Sequence, residues 1–186
     1  MSVLQVTVVV MCVLLNALDG FDVLSISFAS PGISREWGID RAGLGFVLSM
    51  ELFGMAFGSF LLGRVADQYG RRRTILGCLV VMSAGMLAAG GAMSVTELSV
   101  YRLFTGLGIG GMLAATNAMT AEFSNNRHRA LAVIVMASGY PLGAIVGGAI
   151  ASDLLLSYDW RYVFYFGAGM TAVFFPLVWL LVPESI

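Results

Sequence analysis

The chain has no lysine, a single histidine and two cysteines among 186 residues, and only 11% of its residues are charged. Each shortage excludes something. Ten arginines against eleven acids leave a net charge of −1, so there is no basic field to hold nucleic acid. A soluble domain carries roughly 25% charged residues. A chain this poor in charge cannot cover a water-facing surface and must face lipid or its own helices. Cys12 and Cys78 lie inside apolar runs without ligand-spaced partners and read as small apolar filler. His128 stands between loop arginines and has no companions for a metal site. With no nucleophile–base pair, no metal-spaced ligands and no phosphate loop, an enzyme has little support.

What is present is apolar residue, 59% of the chain. Crossing the hydrocarbon core takes roughly 20 mainly apolar residues. Six segments qualify, at about 3–28, 44–65, 74–93, 98–119, 130–152 and 162–182. The first lacks the basic flank and small-residue cleavage pattern of a signal peptide, so it reads as a membrane helix. Short connections make the helices antiparallel neighbours. The expected fold class is an all-α membrane protein, a six-helix transmembrane bundle over residues 1–186, with the lipid bilayer as its solvent.

Arginines set the expected orientation. Arg64, Arg71, Arg72, Arg73, Arg127 and Arg129 gather on one side. Arg35, Arg41 and Arg161 on the other side are balanced by Glu36, Asp40, Asp153 and Asp159. The positive-inside rule then places both termini in the cytoplasm. Glycines recur four residues apart within the helices: Gly54 and Gly58, Gly106 and Gly110, Gly139, Gly143 and Gly147. Small residues at this spacing let helix backbones approach closely in lipid.

The charges inside the apolar segments carry the functional signal. Asp19 and Asp22 interrupt the first segment, Glu51 the second and Arg102 the fourth. A charge at the bilayer centre costs about 2.5–3.5 kcal/mol on insertion scales. Asn16, Asp19 and Asp22 form one polar stripe, and Arg102, Thr105 and Thr116 another. Both stripes are expected to point into the bundle or a water-filled cavity. Arg102 is expected to neutralise one aspartate and leave the other free to carry a proton. The alternative is a buried ion pair that only fixes packing. Glu51 shares a face with Gly54 and Gly58, and its role is open at this level.

Several motifs resemble a known family. Gly63-Arg64-Val65-Ala66-Asp67-Gln68-Tyr69-Gly70-Arg71-Arg72-Arg73 resembles the signature between helices two and three of the major facilitator superfamily, with Gln68 where arginine is usual. Arg102 followed by Gly106-Leu107-Gly108-Ile109-Gly110-Gly111 resembles the fourth-helix signature. Asp159-Trp160-Arg161 with Phe164 resembles the entry to helix six, and Pro183-Glu184-Ser185 its exit. Asp19-Gly20-Phe21-Asp22, with Glu122 and the Gly139-Tyr140-Pro141-Leu142-Gly143 run, is similar to the aromatic acid:proton symporters.

The resemblance implies the N-terminal half of the major facilitator fold in a bacterial inner membrane. It implies import of small aromatic carboxylates such as hydroxybenzoates, with H+ as the coupling ion and no cofactor. The substrate and proton residues implied are Asp19, Asp22, Arg102, Glu122, Glu51 and Tyr140. The gating loop implied is Gly63, Asp67, Gly70, Arg71 and Arg72. A guanidinium matches a carboxylate with a planar fork, which suits Arg102 to such a substrate. Alternating access needs two bundles about a midplane site. The chain is therefore read as a half or fragment that needs a second six-helix bundle, either a C-terminal half or another copy. Alone, it is expected to expose Asp19, Asp22 and Arg102 and to self-associate. A sugar or drug porter and a non-transporting scaffold are the alternatives.

Overall fold

The structure is a computed structural model that describes residues 3–125 and 127–184. Ser185 of the exit motif lies outside the described residues. Six helices follow in order: α1 Val3–Trp37, α2 Arg41–Tyr69, α3 Arg71–Gly90, α4 Val95–Phe123, α5 Arg129–Ser157 and α6 Arg161–Leu181. All six are long and apolar enough to cross a membrane.

Most of the helices outrun the apolar segments that announce them, because hydropathy sees the hydrocarbon core and the helices continue past it. α1 is the clearest case. Its 35 residues rise about 52 Å at 1.5 Å each, against a core of about 30 Å. It runs through Pro31, whose missing N–H cannot serve the Ser27 carbonyl. The Ser30 hydroxyl donates to that carbonyl instead, at 2.8 Å.

Local chemistry places the turns. Asp40 caps α2 by accepting from the Gly43 N–H at 2.9 Å. Ser94 caps α4 by accepting from the Glu97 N–H at 3.2 Å, and Glu97 accepts from the Met93 N–H at 2.9 Å. Gly70 alone links α2 to α3 with φ 102°, a backbone that side chains rarely adopt.

The packing is reciprocal. α1 lies chiefly on α5, α4 chiefly on α2, and α3 against both α4 and α6. That pattern is what two three-helix units, α1–α3 and α4–α6, produce when they exchange middle helices. Glycines make both crossings. Gly54 and Gly58 rest on the Leu103 and Leu107 carbonyls, while Gly106 and Gly110 rest on those of Glu51 and Met55. Gly139 and Gly143 rest on the Val13 and Ala17 carbonyls, and Gly20 rests on that of Tyr140. A side chain at these contacts would meet backbone, so the spacing read from the sequence does the packing work expected of it.

α2 and α5 are the least buried helices. Phe53, Phe57 and Phe60 on α2 and Ile134, Ile145 and Val146 on α5 are exposed, as expected of faces meant for lipid or another bundle.

Candidate functional site

Asp19 and Asp22 of α1, Glu51 of α2 and Arg102 of α4 are all in the interior, none more than 1% exposed. This corrects the expectation that the six-helix bundle by itself leaves Asp19, Asp22 and Arg102 uncovered. The stripes turn inward, and α3 and α6 cover them from behind. Self-association of the bundle therefore cannot rest on exposed charge.

Arg102 touches four other helices. Its Nη2 forms an ion pair with Glu51 and donates to the Asp22 backbone carbonyl at 2.8 Å. Its Nη1 lies 3.2 Å from the Met86 sulfur of α3, and the guanidinium sits 5.6 Å from the Phe164 ring centroid of α6. The pairing expected between Arg102 and an aspartate side chain does not form. Glu51 takes that place, and Asp22 contributes its carbonyl, which also accepts from the Ser25 hydroxyl at 2.6 Å. Periodicity shows which face a residue is on, not which helix will meet it.

The aspartate carboxylates have no hydrogen-bond partner among the described residues. Three buried threonines of α4 and α6 spend their hydroxyls on their own helices. Thr105 donates to the Tyr101 carbonyl at 2.9 Å, Thr116 to Met112 at 2.8 Å and Thr171 to Gly167 at 2.8 Å. Three carboxyl groups thus lie in the interior with one guanidinium, and only that of Glu51 pairs with it. Asn16, on the aspartate stripe, ties α1 to α5 by donating to the Met136 carbonyl at 2.8 Å. Tyr140 is half-buried on α5, with its carbonyl against Gly20, between the two aspartates in sequence.

Glu122 belongs elsewhere. Twenty residues of α4 separate it from Arg102, about 30 Å along the axis. It cannot join the interior charges. It lies 3.0 Å from Arg71, which also pairs with Asp67 at 2.6 Å. This joins the ends of α2, α3 and α4 around Gly70. Gly63 is further back on α2, facing Ala114 of α4. Arg72 stacks on Trp179 at 5.0 Å, donates to its carbonyl, and donates its backbone N–H to Glu184 at 3.2 Å. Asp67, Gly70, Arg71, Glu122 and Glu184 line one cleft of about 360 Å³. Glu184 is the member missing from the expected gating set; its exit motif was the only signal for it.

At the opposite end, Arg161 holds Glu36 through both carboxylate oxygens, at 2.7 and 2.8 Å. Trp160 Nε1 donates to the same carboxylate at 2.7 Å. These contacts tie α1 to α6 and join the helix-six entry motif to Glu36, a partner that the charge balance alone does not name.

Comparison with known proteins bears on what this arrangement is. The family model of the Major Facilitator Superfamily matches residues 12–185. The chain is similar to the 4-hydroxybenzoate transporter PcaK of Pseudomonas putida, 35% identical over 97% of this chain and 40% of that protein. It is also similar to the gallate transporter of the same organism, 33% identical over 97% of this chain and 40% of the relative. A third relative is the benzoate transport protein of Acinetobacter baylyi, at 30% over 96% of this chain and 39% of the relative. The chain spans about 40% of the length of these curated relatives. Its backbone is similar to the inward-open xylose transporter XylE of E. coli, with a TM-score of 0.86 at 20% identity, covering 97% of this chain and 48% of that one. A bacterial homologue of the lysosomal transporter Spinster gives 0.84 at 18%, covering 99% and 45%. At such identities the likeness concerns the fold alone. One family accounts for nearly every residue, on a six-helix backbone found in solved transporters rather than enzymes, and the chain belongs to the Major Facilitator Superfamily.

Proposed function

We propose that this chain is the N-terminal six-helix half of a proton-coupled symporter that imports small aromatic carboxylates such as hydroxybenzoates. The observation that carries the reading is the buried set of Asp19, Asp22, Glu51 and Arg102, in which Glu51 takes the one base and the two aspartate carboxylates have no partner among the described residues. Interior carboxylates without a counter-charge are costly in a membrane and mark proton routes. Asp19 and Asp22 are the proton carriers, and Arg102 is the fork for the substrate carboxylate. Tyr140 is a flanking ring beside them. Relatives named for 4-hydroxybenzoate, gallate and benzoate support the substrate class.

The second six-helix bundle completes the midplane site and rocks against this one. The gating loop is Gly63, Asp67, Gly70, Arg71 and Arg72, with Glu122 and Glu184 as its partners across the cleft. The protein sits in the bacterial inner membrane, with the arginine-rich connections and both termini in the cytoplasm.

Uptake of labelled 4-hydroxybenzoate into proteoliposomes holding the intact transporter, with and without an imposed proton gradient, tests the reading. Gradient-driven uptake that stops when Arg102 is replaced supports it. Uptake indifferent to the gradient refutes it.

A further inference from the structure

Arg102 and Glu51 make a poor fit for so buried a pair. One Glu51 oxygen, Oε1, meets Arg102 Nη2. The other, Oε2, has no partner, and neither has Arg102 Nε, although both atoms are buried. A guanidinium and a carboxylate at their best share two parallel N–H···O bonds. Here one bond forms, and a donor and an acceptor go unmatched in the interior. The backbone cannot improve the fit, because Gly106 of α4 already rests on the Glu51 carbonyl. The two helices can come no closer.

We propose that Glu51 is an internal stand-in for the substrate carboxylate, a positioning residue that holds Arg102 in the substrate-free transporter and yields it to the arriving anion. The inference rests on the reading that an aromatic carboxylate engages Arg102. A free carboxylate has no crossing to respect and can take two guanidinium N–H groups together, the unpartnered Nε among them. Glu51 gives way by turning its side chain, with α2 and α4 still locked at their glycines. The other groups against the guanidinium are accommodating. Met86 is unbranched and adaptable, Phe164 presents its ring, and Asp22 holds Nη2 by its carbonyl.

Uptake kinetics of 4-hydroxybenzoate by the intact transporter test this, with Glu51→Gln, Glu51→Asp and Arg102→Lys compared at equal membrane amounts. Removing the competing charge in Glu51→Gln is expected to lower KM about tenfold, the smaller factor that a hydrogen bond to a charged group carries. Glu51→Asp keeps the charge on a shorter arm and takes an intermediate KM. An unchanged or raised KM in Glu51→Gln, while Arg102→Lys impairs transport, overturns the inference and leaves the transport reading standing. A native KM in Arg102→Lys overturns that reading as well. Should Glu51→Gln not reach the membrane, Glu51→Asp decides, and a KM at or above the native value counts against the proposal.

Discussion

Arg102 and Glu51 stand 51 residues apart in the chain and form a fully buried ion pair across the α2/α4 crossing. Glycine brings them together. Gly106, one turn after Arg102, lies against the Glu51 carbonyl, and Gly54, three residues after Glu51, lies against that of Leu103. The interior charge set is therefore a product of the small-residue packing and shares its fate.

Asp19→Asn and Asp22→Asn are each expected to abolish gradient-driven uptake by the intact transporter. The carboxylates have no hydrogen-bond partners among the described residues, so neutral amides cost the fold little. Uptake with and without a proton gradient is the measurement. Undiminished gradient-driven uptake in both variants would sink their role as proton carriers.

Arg102→Lys is expected to fail as a substitute. Lysine keeps the charge but loses the planar fork, and with it the joint reach to Glu51 and the Asp22 carbonyl. A drop in uptake of about tenfold or more is expected at unchanged protein level. Native affinity in this variant would make Arg102 a packing charge.

Gly143→Val is expected to destabilise the bundle by about 1–3 kcal/mol, because the added atoms meet the Ala17 backbone and not a side chain that can move. Gly77→Ala serves as the comparison: it has nothing within 4 Å and is expected to be neutral or slightly stabilising. Thermal unfolding in detergent distinguishes them. Equal melting temperatures would refute the close-approach account of the α1/α5 crossing.

Arg71→Ala is expected to change stability by less than about 1 kcal/mol, since its partners Asp67 and Glu122 are well exposed. Transport is nonetheless expected to fall, because the same contacts span the ends of three helices around Gly70. A large loss of melting temperature with normal uptake per folded molecule would make the network structural and not a gate.

If the six-helix chain self-associates in detergent, the contact is expected to run through the apolar faces of α2 and α5. Light scattering of Phe53→Ser/Phe57→Ser should then show weakened association, and Asp22→Asn should not. The reverse result would restore charge as the driving force.

By itself, the sequence determined the membrane class, the six helices and the small-residue stripes. Those properties are local or periodic. Hydropathy follows from composition over about 20 residues, and the face of a helix follows from its pitch. The signature around Gly70 was legible as a resemblance, but the connection expected over 66–73 shrinks in the fold to Gly70 alone, whose positive φ turns one helix into the next. The partners of the charges were not legible. Asp22, Glu51 and Arg102 sit on three helices, and nothing along the chain ranks Glu51 above Asp22 as the neighbour of Arg102. Only the glycine-to-carbonyl contacts of α2 and α4 decided it, because they set the register of one helix on the other. Glu122 is a separate case, read at the end of helix four and yet grouped with the substrate and proton residues. Its residue type suits the interior, but about 30 Å of rigid helix separates it from Arg102 and delivers it to Arg71. The burial of the whole set was also a tertiary result, since α3 and α6 cover from behind what α1 and α4 present.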